Sequence, residues 1–275
     1  MPGGRTICQG KETSLSLIDL YMKLYFLVLT LLVPLLFPLK TKAQTIGKNP
    51  DPTVMVSPIL EDFHTLENWE TLLFPKIPRH STYEIVDLPE GKALELRSDH
   101  SASAKVYRKS FDPYLLPRLS WRWKIYDFPH RKDPQRKEGD DYPVRIYVLF
   151  TYDPANPGSA GRFKYELAKL LYGIYPPHSS LNFVWANHRA PRDRYPNPYT
   201  DRAIMIVRDR GQEAVGQWRE HEIDIIEEYR KSFGEDPPRK ATLAVMADTD
   251  NTATRSLAWI DYIHVEPSSK DLLKD

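Results

Sequence analysis

From Val54 onward, apolar and polar residues alternate with a period of two over most of the chain. In LSWRWKIY (119–126), Trp121, Trp123 and Ile125 share one face, and Arg122, Lys124 and Tyr126 the other. In VRIYVLFT (144–151), Val144, Ile146, Val148 and Phe150 alternate with Arg145, Tyr147, Leu149 and Thr151. LNFVWAN (181–187), RAIMIVR (202–208), TLAVMAD (242–248) and SLAWIDYIHV (256–265) continue the theme, and STYEIVDL, KALELRS and SAKVYRKSF are shorter versions. β-Branched and aromatic residues dominate these runs, as a pleated, half-buried surface prefers. Prolines punctuate the gaps between them. Roughly ten strands with Pro-rich connections predict a mainly β fold, a jelly-roll-like sandwich of two antiparallel sheets. Two short helices are expected. One spans 161–173, with Phe163, Leu167, Leu170 and Leu171 on one stripe; the other spans 225–235 and ends at Gly234. The pattern delimits one domain over 54–267, after a polar linker at 44–53 and before a tail at 268–275.

Residues 22–45 break the alternation. Met22 and Lys23 lead into an apolar run from Leu24 to Leu39, and a short polar stretch ends in Thr41-Lys42-Ala43. This three-part layout predicts a secretory signal that starts at Met22 and is cleaved after Ala43. Residues 1–21, which carry Glu12 and Asp19, then form an N-terminal extension to it. The run of 16 residues is short for a spanning helix, which needs about 20, and Pro34 and Pro38 interrupt it. A membrane anchor made by an uncleaved signal is the competing reading. No later apolar run is long enough to span a bilayer, so the mature chain is expected in the periplasm or outside the cell.

Charge and cysteine content narrow the chemistry. Removing residues 1–43 takes away 5 of the 38 Lys+Arg and 2 of the 37 Asp+Glu, which leaves 33 against 35 and a net charge of −2. That balance argues against a general nucleic-acid or anionic-membrane binder. The sole cysteine, Cys8, precedes the signal, so the mature chain offers no disulfide, thiolate metal site or Cys nucleophile.

Two acidic segments are candidate metal ligands. Asp140 and Asp141 follow Glu138-Gly139 at a strand entrance, and Asp248 and Asp250 belong to Asp248-Thr249-Asp250-Asn251-Thr252 after another strand. Oxygen-dense loops of this kind suit a hard cation such as calcium, although the second lacks the glycine and closing glutamate of an EF-hand. The alternative, and the default, is an ordinary turn in which Asp and Asn bond their own backbone, or for Asp140 and Asp141 neutralisation of Arg145.

Tryptophans within strands (Trp121, Trp123, Trp185, Trp259) are expected in the core by default. Alternatively, flat rings form a sugar platform, with Arg122, Lys124, Arg145, Tyr147, Trp185, Asn187 and Tyr199 lining the groove. The loop 187–200 is proline-rich and basic, and long loops on rigid scaffolds often bind ligands. Glu220, Glu222, Asp224, Glu227 and Glu228 supply carboxylates for a glycosidase, but sequence does not give the spacing that such chemistry needs. No G-x-S-x-G, H-E-x-x-H or P-loop is present, and the histidines have no metal-ligand spacing.

The motifs SLNFVWAN, NPYT, IVRDRG, the run from Trp218 to Pro238, and AVMADTDNT occur in that order after WRWK, KEGDD and VRIYVLF. In this order they resemble the bacterial family called domain of unknown function 3047, over roughly residues 56–266. The matching positions include Trp121, Trp123, Lys124, Lys137, Gly139, Asp140, Asp141, Arg145, Tyr147, Trp185, Asn197, Tyr199, Trp218, Asp248, Asp250 and Thr252. The resemblance implies exported proteins with a galactose-binding-like or lectin-like β-sandwich, and implies no activity. The chain departs from the pattern at Tyr142-Pro143-Val144 and carries extra residues around 154–178. Three functions follow as alternatives. The preferred one is a non-catalytic module that binds carbohydrate or a cell-envelope polymer. The others are an envelope glycan hydrolase or lyase with paired carboxylates, and a structural protein-interaction domain.

Overall fold

A computed structural model describes residues 54–55, 57–74, 77–129, 132–151, 177–190 and 192–268. The chain divides into two units, Met1–Thr45 and Ile46–Asp275, and every described residue belongs to the second. The signal, the linker at 44–53, Cys8 and the helix expected over 161–173 lie outside the described residues.

Fifteen strands follow one another in chain order among the described residues. The first seven are β1 (Val54–Met55), β2 (Ile59–Glu61), β3 (Trp69–Leu73), β4 (Thr82–Leu88), β5 (Gly91–Asp99), β6 (Ala102–Tyr107) and β7 (Ser110–Phe111). Then come β8 (Arg118–Asp127), β9 (Tyr142–Phe150), β10 (Ser179–Ala186), β11 (Arg194–Asn197), β12 (Thr200–Arg210), β13 (Arg219–Asp224), β14 (Ala241–Asp248) and β15 (Arg255–Glu266). The helix Ile225–Phe233 begins at Asp224, whose carboxylate accepts the Glu227 N–H. It stops at Gly234, which takes the left-handed conformation.

A nine-stranded sheet runs β1-β7-β14-β9-β10-β12-β11, with β6 also paired to β14 and β3 to β6. A six-stranded sheet runs β13-β8-β15-β5-β4, with β2 also on β15. The expected sandwich is therefore present, with one refinement: β10 pairs β12 in parallel, as β1 does β7. β11 causes the first of these. It runs back antiparallel to β12 and takes the sheet edge, so β12 inserts beside β10 in the same direction as β10.

The period of two sets the core. Trp121, Trp123 and Ile125 from β8, and Val144, Ile146, Val148 and Phe150 from β9, are all fully buried between the sheets. β10 differs because all eight of its residues are buried. Leu181, Phe183 and Trp185 face the main core. On the other face, Val184 and Ala186 join Tyr142, Ala190, Tyr195 and Met205 in a second, smaller cluster on the outer side of the nine-stranded sheet.

Two adjacent core tryptophans differ in polarity. Trp123 Nε1 donates to Asp209 Oδ2 at 2.7 Å, whereas Trp121 Nε1 is buried and has no partner among the described residues. Asp209 also accepts His221 Nε2 at 2.6 Å and Arg219 Nε at 3.0 Å. Burial pushes this carboxyl up, but the bonds from His221, Trp123 and Arg219 outweigh it and hold Asp209 below the usual range. Trp123→Phe removes one of these bonds and Trp121→Phe removes none, while the lost volume is the same. Trp123→Phe is expected to cost about 1–3 kcal/mol more in urea unfolding. Equal midpoints would show that the Asp209 bond contributes nothing.

Candidate functional site

Two places bring chemistry-bearing side chains together, one on the outer side of each sheet. The first lies beside the smaller cluster. With Val144, Ile146, Val148 and Phe150 of β9 turned inward, Arg145 and Tyr147 point out of the nine-stranded sheet. At the end of β14 the pairing to β9 shifts between Met246 and Asp248, which sets Asp248 opposite Tyr142. Asp248 Oδ1 accepts the Tyr142 N–H at 3.1 Å and Arg145 Nε at 3.0 Å, and Asp248 Oδ2 accepts Arg145 Nη2. The same Nη2 donates to the Asp140 carbonyl at 2.7 Å, and Nη1 approaches Asp140 Oδ1 at 3.4 Å. The guanidinium lies 4.4 Å from the centre of the Tyr142 ring.

Loops complete the cluster. A 3-10 turn, Lys137–Gly139, delivers Asp140 and Asp141. Gly139 is required there because a Cβ at that position would run into the Asp133 carbonyl. Asn197 Nδ2 donates to Asp140 Oδ2 at 3.0 Å. Asp141 accepts the Asn251 and Thr252 N–H groups and the Thr252 hydroxyl at 3.3, 2.6 and 2.5 Å. Lys137 sits over the Tyr199 ring at 5.0 Å.

Three of the four predicted metal ligands therefore meet. One oxygen each of Asp141, Asp248 and Asp250 lie within 4.8 Å of one another. Asp140 stands apart from this trio, with its oxygens turned to Arg145 and Asn197. One arginine is set among four carboxylates. Burial pushes Asp140 up to about 6, opposed by Arg145 and Asn197 and reinforced by Asp141 and Asp250. Burial likewise raises Asp248, which Arg145 opposes and Asp141 and Asp140 reinforce. Asp250 rises through burial and its neighbour Asp141. Four carboxyl groups thus share one guanidinium and hold their protons more tightly than usual, and once deprotonated such an oxygen donor set suits a hard cation.

The second place is the outer face of the six-stranded sheet, where Arg122, Lys124 and Tyr126 of β8 point. A hydrogen bond from Gly216 N–H to the Ile125 carbonyl, 2.8 Å long, ties down the loop before β13. Gly216 takes φ +79°, a left-handed turn that favours glycine. The loop lays Trp218 against β8, with Arg122 4.9 Å and Lys124 4.5 Å from its ring centre. Lys124 Nζ is also 5.2 Å from the centre of Trp259 on β15. Trp259 Nε1 donates to Glu95 Oε2 at 3.0 Å, and Arg97 holds the other oxygen at 2.5 Å. The pairing of β15 shifts between Ile260 and Tyr262, so Asp261 and Tyr262 both face outward. There they meet Arg122 at 2.9 Å and Glu220 at 2.6 Å respectively. Tyr126, two residues beyond Lys124 on the same face, is 68% exposed.

The seven residues predicted to line one groove are thus divided. Arg122 and Lys124 belong to the six-stranded sheet's face, and Arg145, Tyr147 and Tyr199 to the other side of the sandwich. Trp185 is buried, with Nε1 bonded to the Gly211 carbonyl at 3.0 Å. Asn187 is buried and braces a loop, donating to the carbonyls of Lys132 at 3.0 Å and Pro129 at 3.4 Å. The carboxylates considered for glycosidase chemistry are each engaged by a separate partner. Glu220 meets Tyr262, Glu222 meets Arg118, Asp224 caps the helix, Glu227 meets Lys231 and Glu228 meets Arg194. Sequence does not single out Glu95 and Asp261. Alternation in KALELRS puts Glu95 and Arg97 on the polar side, but nothing there shows that they meet Trp259. Asp261 faces outward only because of the shift in β15.

The family model described as "Protein of unknown function (DUF3047)" matches residues 67–264. No curated protein matches the chain. Among solved structures, a family 11 carbohydrate-binding module from Clostridium thermocellum, in complex with a β-1,3-1,4-mixed-linked tetrasaccharide, is 10% identical. That likeness covers 77% of this chain and 96% of that one, with a TM-score of 0.37. A family 30 carbohydrate-binding module of a Clostridium thermocellum cellulase is 10% identical over 78% and 94%, with a TM-score of 0.36. The winged bean acidic lectin complexed with methyl-α-D-galactose is 9% identical over 72% and 98%, with a TM-score of 0.32.

Proposed function

The chain belongs to this family of unknown function, which supplies no activity to inherit, and from that premise we propose that it is a non-catalytic module binding a carbohydrate or other hydroxyl-rich envelope polymer. The observation that carries the reading is the outer face of the six-stranded sheet. Trp218, Trp259 and Tyr126 present aromatic surface along one side of β8, and the two tryptophans are held by neighbours rather than free to turn. Rings fixed before binding lose little freedom when a sugar stacks on them. Flanking carboxylates and guanidinium groups offer acceptors and donors to hydroxyls. Export through the signal read in residues 22–45 would place this face in the periplasm or outside the cell.

The reading includes a hard divalent cation, calcium by its oxygen chemistry, held by Asp141, Asp248 and Asp250. It would fasten the loop after β14 to the entrance of β9, on the side of the sandwich away from the polymer, and so act on stability rather than on contact with the ligand. Glycan-array binding with calcium and with chelator tests both parts. Binding to a defined set of glycans is expected, with chelator weakening it only as far as it destabilises the fold. Turnover of a glycan without retention on any would overturn the proposal.

A further inference from the structure

We infer that the polymer taken by the six-stranded sheet's face is uncharged: a neutral polysaccharide chain rather than a uronate, sulfated or phosphate-bearing one. This rests on the proposed binding reading and names the chemical class of its ligand. The cations of the face already have anions. Arg122 is bonded to Asp261 at 2.9 Å, Arg97 to Glu95 at 2.5 Å, and Arg118 to Glu266 at 2.8 Å. Lys124 has Glu90 at 4.0 Å, and its side chain is only 15% exposed between two tryptophan rings.

An anionic polymer would have to break these pairs one by one and would leave carboxylates such as Glu95 and Asp261 facing its own charge. A neutral chain meets no such penalty. Its hydroxyls can donate to the outer lone pairs of the same carboxylates while its ring faces stack on the aromatics. The geometry also favours a chain over a single sugar. Lys124 Nζ is 4.5 Å from the Trp218 ring centre and 5.2 Å from that of Trp259, so these are at most about 10 Å apart, and Tyr126 stands two residues further along the same face of β8. Adjoining sugar rings of one polymer can occupy such a row together.

Affinity gel electrophoresis of the mature protein tests the inference. The neutral probes are mixed-linkage glucan, xylan, mannan and dextran, and the anionic ones are polygalacturonate and alginate. Retardation by at least one neutral polymer is expected, and by neither anionic one. It should persist from ~0.01 to ~1 M salt, which shortens the screening length from ~30 Å to ~3 Å. Trp259→Ala is expected to weaken retardation about tenfold or more. Tyr126→Ala, at an exposed position that folding does not depend on, should also weaken it. Retardation only by polygalacturonate or alginate, lost in high salt, would overturn the neutral ligand and leave the binding module standing. Retardation by none of the six would overturn the binding reading itself. Neutral retardation that survives both substitutions would remove this face as its seat.

Discussion

Arg145→Met is expected to destabilise the protein by about 3–5 kcal/mol, the largest effect of any single substitution outside the main core. The guanidinium serves both Asp140 and Asp248, and all three side chains are almost wholly buried. Without it, two carboxyl groups are left in a dry site beside Asp141 and Asp250, with Asn197 and backbone donors as their remaining partners. Arg145→Lys is expected to restore little, because one ammonium cannot reproduce a fork that bonds Asp248 through Nε and Nη2 and Asp140 through Nη1. Adding Asp140→Asn and Asp248→Asn to Arg145→Met should recover part of the loss, since the unpaired charges then disappear. Urea unfolding of the three variants measures this. A loss below ~1 kcal/mol for Arg145→Met would mean that the cluster is not held by charge pairing.

Calcium at about a hundred times its dissociation constant is expected to add about 2.7 kcal/mol, or roughly 5–10 °C in Tm for a domain of this size. Asp250→Asn should abolish the increment while leaving the chelated protein nearly unchanged, because Asp250 is the half-buried, loop-borne member of the trio. The effect also has a predicted pH dependence. Asp140 is pushed up to about 6 from an ordinary value of 3.8. A raised carboxyl binds its proton more tightly in the folded state. The stability it contributes is therefore full below about pH 4 and is lost as pH rises through about 6. The metal-free cluster is thus least comfortable at neutral pH, where calcium helps most. The calcium shift should be larger at pH ~7.5 than at pH ~5. Identical melts with calcium and with chelator at both pH values would rule the cation out.

Much of this arrangement is legible in the sequence, for reasons that can be named. Alternation in β8, and in β9 from Val144 on, is strict, so it correctly separates Trp121, Trp123 and Ile125 from Arg122, Lys124 and Tyr126, and Val144, Ile146, Val148 and Phe150 from Arg145 and Tyr147. The stop at Gly234 is equally clear, because a left-handed residue favours glycine there. Strands β2, β3, β11 and β13 are hard to read because they are short or lie at an edge, and REHEID in β13 carries four charged or imidazole side chains before its isoleucine. Their strand character comes from pairing: β13 is held along its length by β8. The acidic segments are recognisable as oxygen-rich loops, yet their meeting depends on β9 and β14 being neighbours, which no local pattern specifies. The basic character of 187–200 is a poor guide, since Arg194 turns inward to Glu228 and Ser232 and Asn187 serves as a brace.

β10 bears on how this protein can vary over generations. A strand with one wet side can drift at every second position with little cost to packing. All eight residues of β10 are enclosed, so inherited change there has no neutral track. A larger residue at Phe183 presses on Trp121, and one at Val184 presses on the smaller cluster that positions Tyr142 beneath Arg145. Substitutions in this strand should therefore be found among relatives as matched pairs with their cross-strand neighbours on β9 and β12. Those pairings would give the register of the parent sheet even in members too divergent to align by their loops.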